Sequence, residues 1–376
     1  MIFFPVTRIT RLRFALALGA EAVGKGRIET EQGQRFLRFE HAIIATGSKP
    51  AMPKAFDLGN PRIMTSTEAL DVRDVPKKLL IVGGGYIGME LGTVYASLGS
   101  EVIVVEAADN ILTGADPDMA RPIAQRAAKN FKEIRVQAKV LSMATKGPQI
   151  RVEIDYQGQK LEEFYDRVLV SVGRVPAAED LGLENTKATR DEKGFIVVDE
   201  HQRTEDPALY AIGDIAGGVL LAHKASREAR VAVEAILGGG EAVPEFIIPA
   251  VVFTDPELAW CGLTEAEARQ KGIAIEVAKF PWGASGRALT FDRPDGMTKL
   301  IIDPATERVL GMAIVGHGAG ELIAEGVLAV EMGATAKDLA LAVHPHPTLS
   351  ETVMECAEVF YGHATHVLTR KRREQS

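Results

Sequence analysis

The stretch LLIVGGGYIGMELGTVYASLGSEVIVVE, residues 79–106, decides the fold. Residues 79–82 are apolar and partly branched, as a strand buried in a parallel sheet requires. Gly83, Gly85 and Gly88 follow in the spacing G-x-G-x-x-G. The first glycine permits a tight turn, the second lets backbone approach a pyrophosphate, and the third lets the next helix pack on the strand. That helix aims free N–H groups and a positive dipole end at the phosphates, and it stops near Gly99. A second strand, Glu101–Val105, leads to Glu106, 18 residues after Gly88. An acid there accepts hydrogen bonds from a ribose 2′-OH and repels a 2′-phosphate, which favours NAD over NADP. A bare G-x-G-x-x-G also serves as a helix-packing turn, but here strand, helix, second strand and acid all agree. Glu90 reads equally as part of this site or as a solvated or capping acid.

Outward from this unit, 376 residues suffice for two or three domains. The chain is 46% hydrophobic and 25% charged with net charge −8, a globular composition with no general attraction for nucleic acid. The basic run Arg370-Lys371-Arg372-Arg373 reads as a solvated end. Only two cysteines occur, Cys261 and Cys356. They exclude a disulfide scaffold and a cysteine-rich metal site, and they fit a reducing, cytoplasmic compartment. No apolar run is long enough to span a membrane. The N-terminal apolar run lacks the small-residue cleavage pattern of a signal peptide.

Before the nucleotide unit, residues 1–23 give no clear pattern. Residues 27–32 and 34–39 read as strands around a turn at Gly33, and residues 41–44 as a strand entering the small-residue turn Ala45-Thr46-Gly47-Ser48. A proline-rich connection leads to Pro61. After the unit, residues 116–129 read as a helix with Asp116 as cap and Pro117 in its first position. Strands are expected at 134–139, 149–156, 160–164, 167–172, 195–198 and 209–212. Gly173-Arg174-Val175-Pro176 follows the fourth of these, and Gly213-Asp214 ends the last, where an acid can hold a ribose or another hydroxyl, or cap a helix. A helix over 223–237 closes on Gly238-Gly239-Gly240, a domain boundary. Beyond Val243, strands at 250–254, 275–280, 299–303 and 309–315 alternate with helices at 264–270, 321–331 and 338–342, the pattern of an α+β domain.

The last constellation is His344-Pro345-His346-Pro347-Thr348-Leu349-Ser350-Glu351. Each histidine precedes a proline and is biased to extended backbone. Pro347 suits the first position of the following helix. Glu351, near that helix's start, can fix an imidazole tautomer and raise its basicity. His346 is the candidate general acid/base, with His344 as its competitor and a structural cap as the bland alternative.

Taken together, the motifs resemble the flavin disulfide reductases, most closely dihydrolipoamide dehydrogenases. The pieces that carry the resemblance are Ala45–Ser48, Gly83–Glu90, Gly173–Pro176, Ala211-Ile212-Gly213-Asp214, Leu221-Ala222-His223-Lys224-Ala225, residues 281–288 and His344–Glu351. They keep the family's order from about Gly24 to about Gly362. The resemblance implies an α/β fold: a Rossmann-type NAD-binding domain (76–175), a remnant of an FAD-binding domain (1–75) with its returning segment (176–244), and an α+β dimerisation domain (245–376). It implies FAD against Gly26, Thr46, Gly47, Ser48, Asp214, Leu220, Leu221, Ala222 and His223. It implies NAD against Gly83, Gly84, Gly85, Tyr86, Ile87, Gly88, Met89, Glu90, Glu106 and Gly173. His346 would take a thiol proton, oriented by Glu351, with no metal involved. The implied assembly is a homodimer in which this histidine serves the other subunit's disulfide. The implied partner is the lipoyl domain of a 2-oxo acid dehydrogenase or glycine cleavage complex, with neither nucleic acid nor membrane.

The sequence departs from that family in two ways. The family's first G-x-G-x-x-G and its C-x-x-x-x-C pair have no counterpart, since no cysteine precedes Cys261. The expectation is an N-terminally truncated member, with residues 1–20 from a wrong frame or start, weakened FAD affinity and little or no dehydrogenase activity. Glutathione-type reductases need basic residues where Glu106 stands, and mercuric-type enzymes need a C-terminal cysteine pair that Arg370–Ser376 lacks. The alternative from another class is a non-catalytic NAD-binding or dimerising fragment.

Overall fold

In the structure, a computed structural model that describes residues 13–17, 24–30, 33–239 and 246–368, the strand Lys78–Val82 is the middle of a five-stranded parallel sheet. Its neighbours are Arg167–Val170 on one side and Glu101–Val105 on the other, with Ile63–Met64 and Glu133–Arg135 at the edges. Leu79, Leu80 and Ile81 are fully buried, which is why the run carries no polar alternation. Helix Tyr86–Ser97 returns across the sheet, ends at Leu98, and is followed by Gly99 at φ +103°. The run expected over 134–139 divides in two. Gln137 adopts φ +52°, and Ala138–Lys146 leaves the parallel sheet for an antiparallel one, pairing with Gln149–Tyr156, which in turn pairs with Gln159–Tyr165.

The described residues divide into two compact units. Residues 50–173, which hold the parallel sheet, belong with 247–368. In the latter, a five-stranded antiparallel sheet runs in the order Ala250–Val252, Glu257–Gly262, Val309–Gly316, Met297–Ile302, Glu276–Pro281. The strand Glu257–Gly262 escapes the sequence reading because its residues, ELAWCG, show neither alternation nor a branched run. Helices Ala319–Glu331, Ala336–Leu341 and Glu351–Tyr361 cover the sheet. Both cysteines lie in this core, where burial pushes each thiol up to about 12.

Within this unit, Asp116 departs from its expected role. It precedes helix Pro117–Asn130 with Pro117 first, but it makes no side-chain cap there. Its carboxylate instead accepts the Glu265 and Ala266 amides at 3.1 and 3.2 Å, capping helix Glu265–Lys271, and takes Lys299 Nζ at 2.6 Å. Asp118 and Glu265 complete the shell around the Lys299 ammonium at 2.9 Å each. An ammonium has three donors, and all three are used. These three carboxylates are grouped closely enough to hold a metal ion, but Lys299 supplies the cation.

The other unit contains the described residues to Lys49 together with 174–246. Arg13–Ala17, Gly24–Thr30 and Gly33–Phe39 form an antiparallel meander, so the uninterpreted N-terminal region contributes a paired strand. Ala42–Ile44 pairs in parallel with Leu209–Ala211, and helix Ala222–Ile236 follows the latter. The expected strand at 195–198 is a single bridge between Arg190 and Ile196. Gly33, expected as a turn, is the first residue of strand Gly33–Phe39 and pairs with Thr30, while residues 1–12, 31–32, Gly240 and the basic run 370–373 fall outside the described residues. No described helix is long and apolar enough to cross a membrane.

Candidate functional site

The glycine turn is shaped by close backbone approaches. Gly83 has φ +105°, and a Cβ on it would stand 2.4 Å from the Ser171 carbonyl oxygen. A Cβ on Gly88 would stand 2.0 Å from the Gly83 carbonyl oxygen. Gly85 is different: it is the N-cap of helix Tyr86–Ser97, offers no side-chain cap, and among the described residues nothing beyond its own chain neighbours lies within 4 Å of its Cβ position. Open space in front of uncapped helix amides is the shape a pyrophosphate needs. Glu106 braces the turn, accepting Gly84 N–H at 2.6 Å and Ala108 N–H at 2.7 Å, one on each oxygen. Each oxygen keeps a further lone pair with which to accept a ribose hydroxyl. Gly173, at φ +120°, also faces open space, while its carbonyl takes the Ala51 amide at 2.9 Å.

Not every expected residue faces this turn. Tyr86 is exposed and Ile87 is half-buried against the core. Met89 is 0% exposed, and its amide is bonded within the helix to Gly85, so it is a core residue. Glu90 is neither a solvated acid nor a cap. It accepts the Phe253 amide at 2.8 Å, and burial pushes its carboxyl up.

In the other unit, two turns meet at the carboxyl ends of paired parallel strands. Ile212 N–H donates to Ile44 at 3.0 Å, which brings Ala45–Ser48 beside Gly213-Asp214. Gly47 adopts φ +70° and accepts the Ala177 amide at 2.9 Å. The Ser48 hydroxyl donates to the Asp214 carboxylate. Arg174 donates to the same hydroxyl at 2.6 Å and to the Ser48 carbonyl at 2.8 Å. A guanidinium, a hydroxyl and a carboxylate thus form one chain at the carboxyl ends of the strands, the place where open α/β sheets bind ligands. Thr46 is exposed. Leu220 and Leu221 are half-buried, while Ala222 and His223 are exposed in the first turn of helix Ala222–Ile236, whose N-terminus has no side-chain cap. Gly26 sits mid-strand in Gly24–Thr30, its Cα paired with those of Leu16 and Leu37. In the sequence, Arg174 is marked only by its place in Gly173-Arg174-Val175-Pro176, a cation directly after a glycine that adopts φ +120°.

The two histidines separate cleanly. His344 is held on both nitrogens, Nε2 by Glu325 at 2.8 Å and Nδ1 by the Ala342 carbonyl at 2.9 Å, which makes it an anchor. His346 has Nδ1 at 2.9 Å from Glu351 Oε1, and its side chain is 76% exposed. The carboxylate fixes the proton on Nδ1 and leaves Nε2 as the basic atom. Burial alone would raise the Glu351 carboxyl, but the Thr348 amide at 2.7 Å and the His346 imidazole outweigh it and hold it below its ordinary range. Pro347 does not open the helix. Glu351 is its first residue behind Ser350, and Pro347 belongs to the preceding turn, where the Thr348 hydroxyl donates to the Pro345 carbonyl.

The chain matches the family described as pyridine nucleotide-disulphide oxidoreductase over residues 12–229, and that family's dimerisation domain over residues 248–357. Residues 12–20 fall within the first of these matches, and within them Arg13–Ala17 is a paired strand. The dihydrolipoyl dehydrogenase of Haemophilus influenzae is 46% identical over 339 residues, covering 90% of this chain and 71% of that protein. The enzyme of the same name from Thermus scotoductus is 44% identical over 349 residues, covering 92% and 75%. Among solved structures, LpdA from Mycobacterium tuberculosis superposes with a TM-score of 0.84 at 27% identity, covering 93% of this chain and 76% of that one. A Cu(II) complex of a cysteine-to-serine mutant of the HOCl-induced flavoprotein disulfide reductase RclA from Escherichia coli also gives 0.84, at 28% identity, covering 92% and 78%.

Proposed function

The chain belongs to the pyridine nucleotide-disulphide oxidoreductase family, and from that premise we propose that it carries the NAD, flavin and proton-handling parts of a dihydrolipoyl dehydrogenase. The family uses FAD and NAD. The observation that carries the finer reading is His346 held by Glu351 with Nε2 left basic, beside curated relatives of that name at 43–46% identity. FAD, when bound, supplies a two-electron carrier between a dithiol and NAD. In this reading Gly83, Gly84, Gly85 and the following helix N-terminus seat the NAD pyrophosphate, and Glu106 takes a ribose hydroxyl. Ser48 and Asp214 take a flavin hydroxyl, with helix Ala222–Ile236 aimed at its phosphates. His346 accepts a proton from a substrate thiol at Nε2, and Glu351 stabilises the imidazolium that forms. The segments 1–75 and 176–244 serve the flavin, 76–175 NAD, and 245–376 dimerisation. The working form is a cytoplasmic homodimer facing a lipoyl domain.

The residues present do not fit the redox disulfide. Cys261 and Cys356 are both buried in the C-terminal core, with thiols pushed up to about 12. No step through a disulfide is therefore assigned to these residues. That observation favours a second reading for the 376-residue polypeptide by itself, a cofactor-binding module without dithiol turnover. The test is to incubate the purified chain with FAD, desalt it and record its visible spectrum. NADH oxidation with an artificial acceptor and NAD reduction with dihydrolipoamide are then measured in parallel. A retained flavin band with NADH–acceptor turnover and no dihydrolipoamide reaction is expected. Dihydrolipoamide-dependent NADH formation would overturn the module reading. Loss of both flavin and NAD binding would overturn the cofactor assignment.

A further inference from the structure

Behind Asp214 lies an ion pair that the proposed chemistry does not use. Lys224 and Glu228, four residues apart on helix Ala222–Ile236, are 6% and 5% exposed and bonded to each other at 2.6 Å. Both also bond to the backbone of Gly213. Glu228 Oε2 accepts its N–H at 2.6 Å, and Lys224 Nζ donates to its carbonyl at 3.3 Å. Gly213 adopts φ +75°, and a Cβ there would stand 3.1 Å from Ala225 Cβ, so the helix backs directly onto this turn. A buried pair of charges is tolerable when its remaining valences are filled, and here the backbone of one residue helps to fill both.

We propose that Lys224 and Glu228 are positioning residues for the flavin site. They clamp the Gly213 peptide groups from behind and so fix the left-handed turn that presents Asp214. The clamp also ties the turn to the helix whose first residues, Ala222 and His223, stand at the same proposed site. The inference rests on the flavin reading of Asp214. Neither residue touches the cofactor; each acts through the backbone.

The experiment is fluorescence titration of the purified chain with FAD, with an NAD titration of the same samples as a control for folding. Glu228→Leu combined with Lys224→Met removes both charges at once, so neither is left buried alone. It should weaken FAD about 10-fold or more, the size expected for an orphaned buried N–H, and leave NAD affinity within about twofold. Glu228→Gln keeps an acceptor for Gly213 and should fall between that variant and the native chain. FAD affinity equal to native in the double variant, with NAD binding intact, would sink the clamp. If the double variant loses NAD as well, Glu228→Gln decides: native FAD affinity overturns the proposal, and a selective loss of FAD supports it. If the native chain itself binds no FAD, the flavin reading fails and the clamp's role falls with it.

Discussion

Gly85→Ala should bind NAD roughly 5- to 150-fold more weakly than the native chain, with an unchanged thermal midpoint. The physical case lies in what surrounds the added methyl group. Gly85 has φ −71°, a conformation any residue adopts, and among the described residues nothing beyond its own chain neighbours lies within 4 Å of the new Cβ. The fold therefore has no reason to object. In the proposed NAD site the methyl group would take the space of the pyrophosphate, and forcing one extra carbon into a close contact costs about 1–3 kcal/mol, which sets the fold-change. Gly88→Ala is the contrasting variant. Its Cβ would meet the Gly83 carbonyl at 2.0 Å and the Ser171 hydroxyl at 2.8 Å, and backbone cannot rotate away. It should lose stability and NAD binding together. Isothermal titration with NAD and a melting curve on each variant separate the two effects. Native affinity in Gly85→Ala would remove the pyrophosphate from this turn.

The contrast between the two glycines shows what was legible in the chain. A turn that admits only glycine leaves a sequence trace, because the constraint is local and the residue type is nearly forced. The His346–Glu351 pair was legible for a similar reason: its members are five positions apart, and Pro347 stiffens the path between them. Asp116 was legible as a residue preceding a helix and illegible in its partners. Lys299 lies 183 positions away, and the capped helix begins at Glu265. Glu90 likewise looked like a helix acid until the Phe253 amide, 163 positions away, came to meet it. The strand Glu257–Gly262 is set by its two neighbours in the sheet and not by its own composition. Local demands write themselves into spacing. Pairings across the chain require the fold first.

The largest loss of stability should follow Lys299→Met. At neutral pH the variant should unfold with about 3–5 kcal/mol less free energy, the usual cost of removing one partner from a buried charge network. Lys299 is 0% exposed, and its ammonium is the common partner of Asp116, Asp118 and Glu265. Without it, among the described residues only Lys279 remains on the cluster, at 2.7 Å from Asp118 and 3.2 Å from Glu265, and none of them pairs a cation with the buried Asp116. The pH dependence has a definite sign. Burial would raise the Asp118 carboxyl, but Lys279 and Lys299 outweigh it and hold it below its ordinary range. A depressed carboxyl contributes stability that is present above its unfolded value and lost as pH falls through its folded one. The native chain should therefore lose this contribution only at pH values below the ordinary carboxylate range. Lys299→Met has less of it to lose, and protonation relieves the crowding of its acids. The gap between the two proteins should narrow steadily as pH drops from 7 toward 3. Urea unfolding followed by the fluorescence of the buried Trp282 measures both stabilities across that range. A gap below about 1 kcal/mol at pH 7, or one that widens in acid, would mean that the carboxylates are not held together by this ammonium.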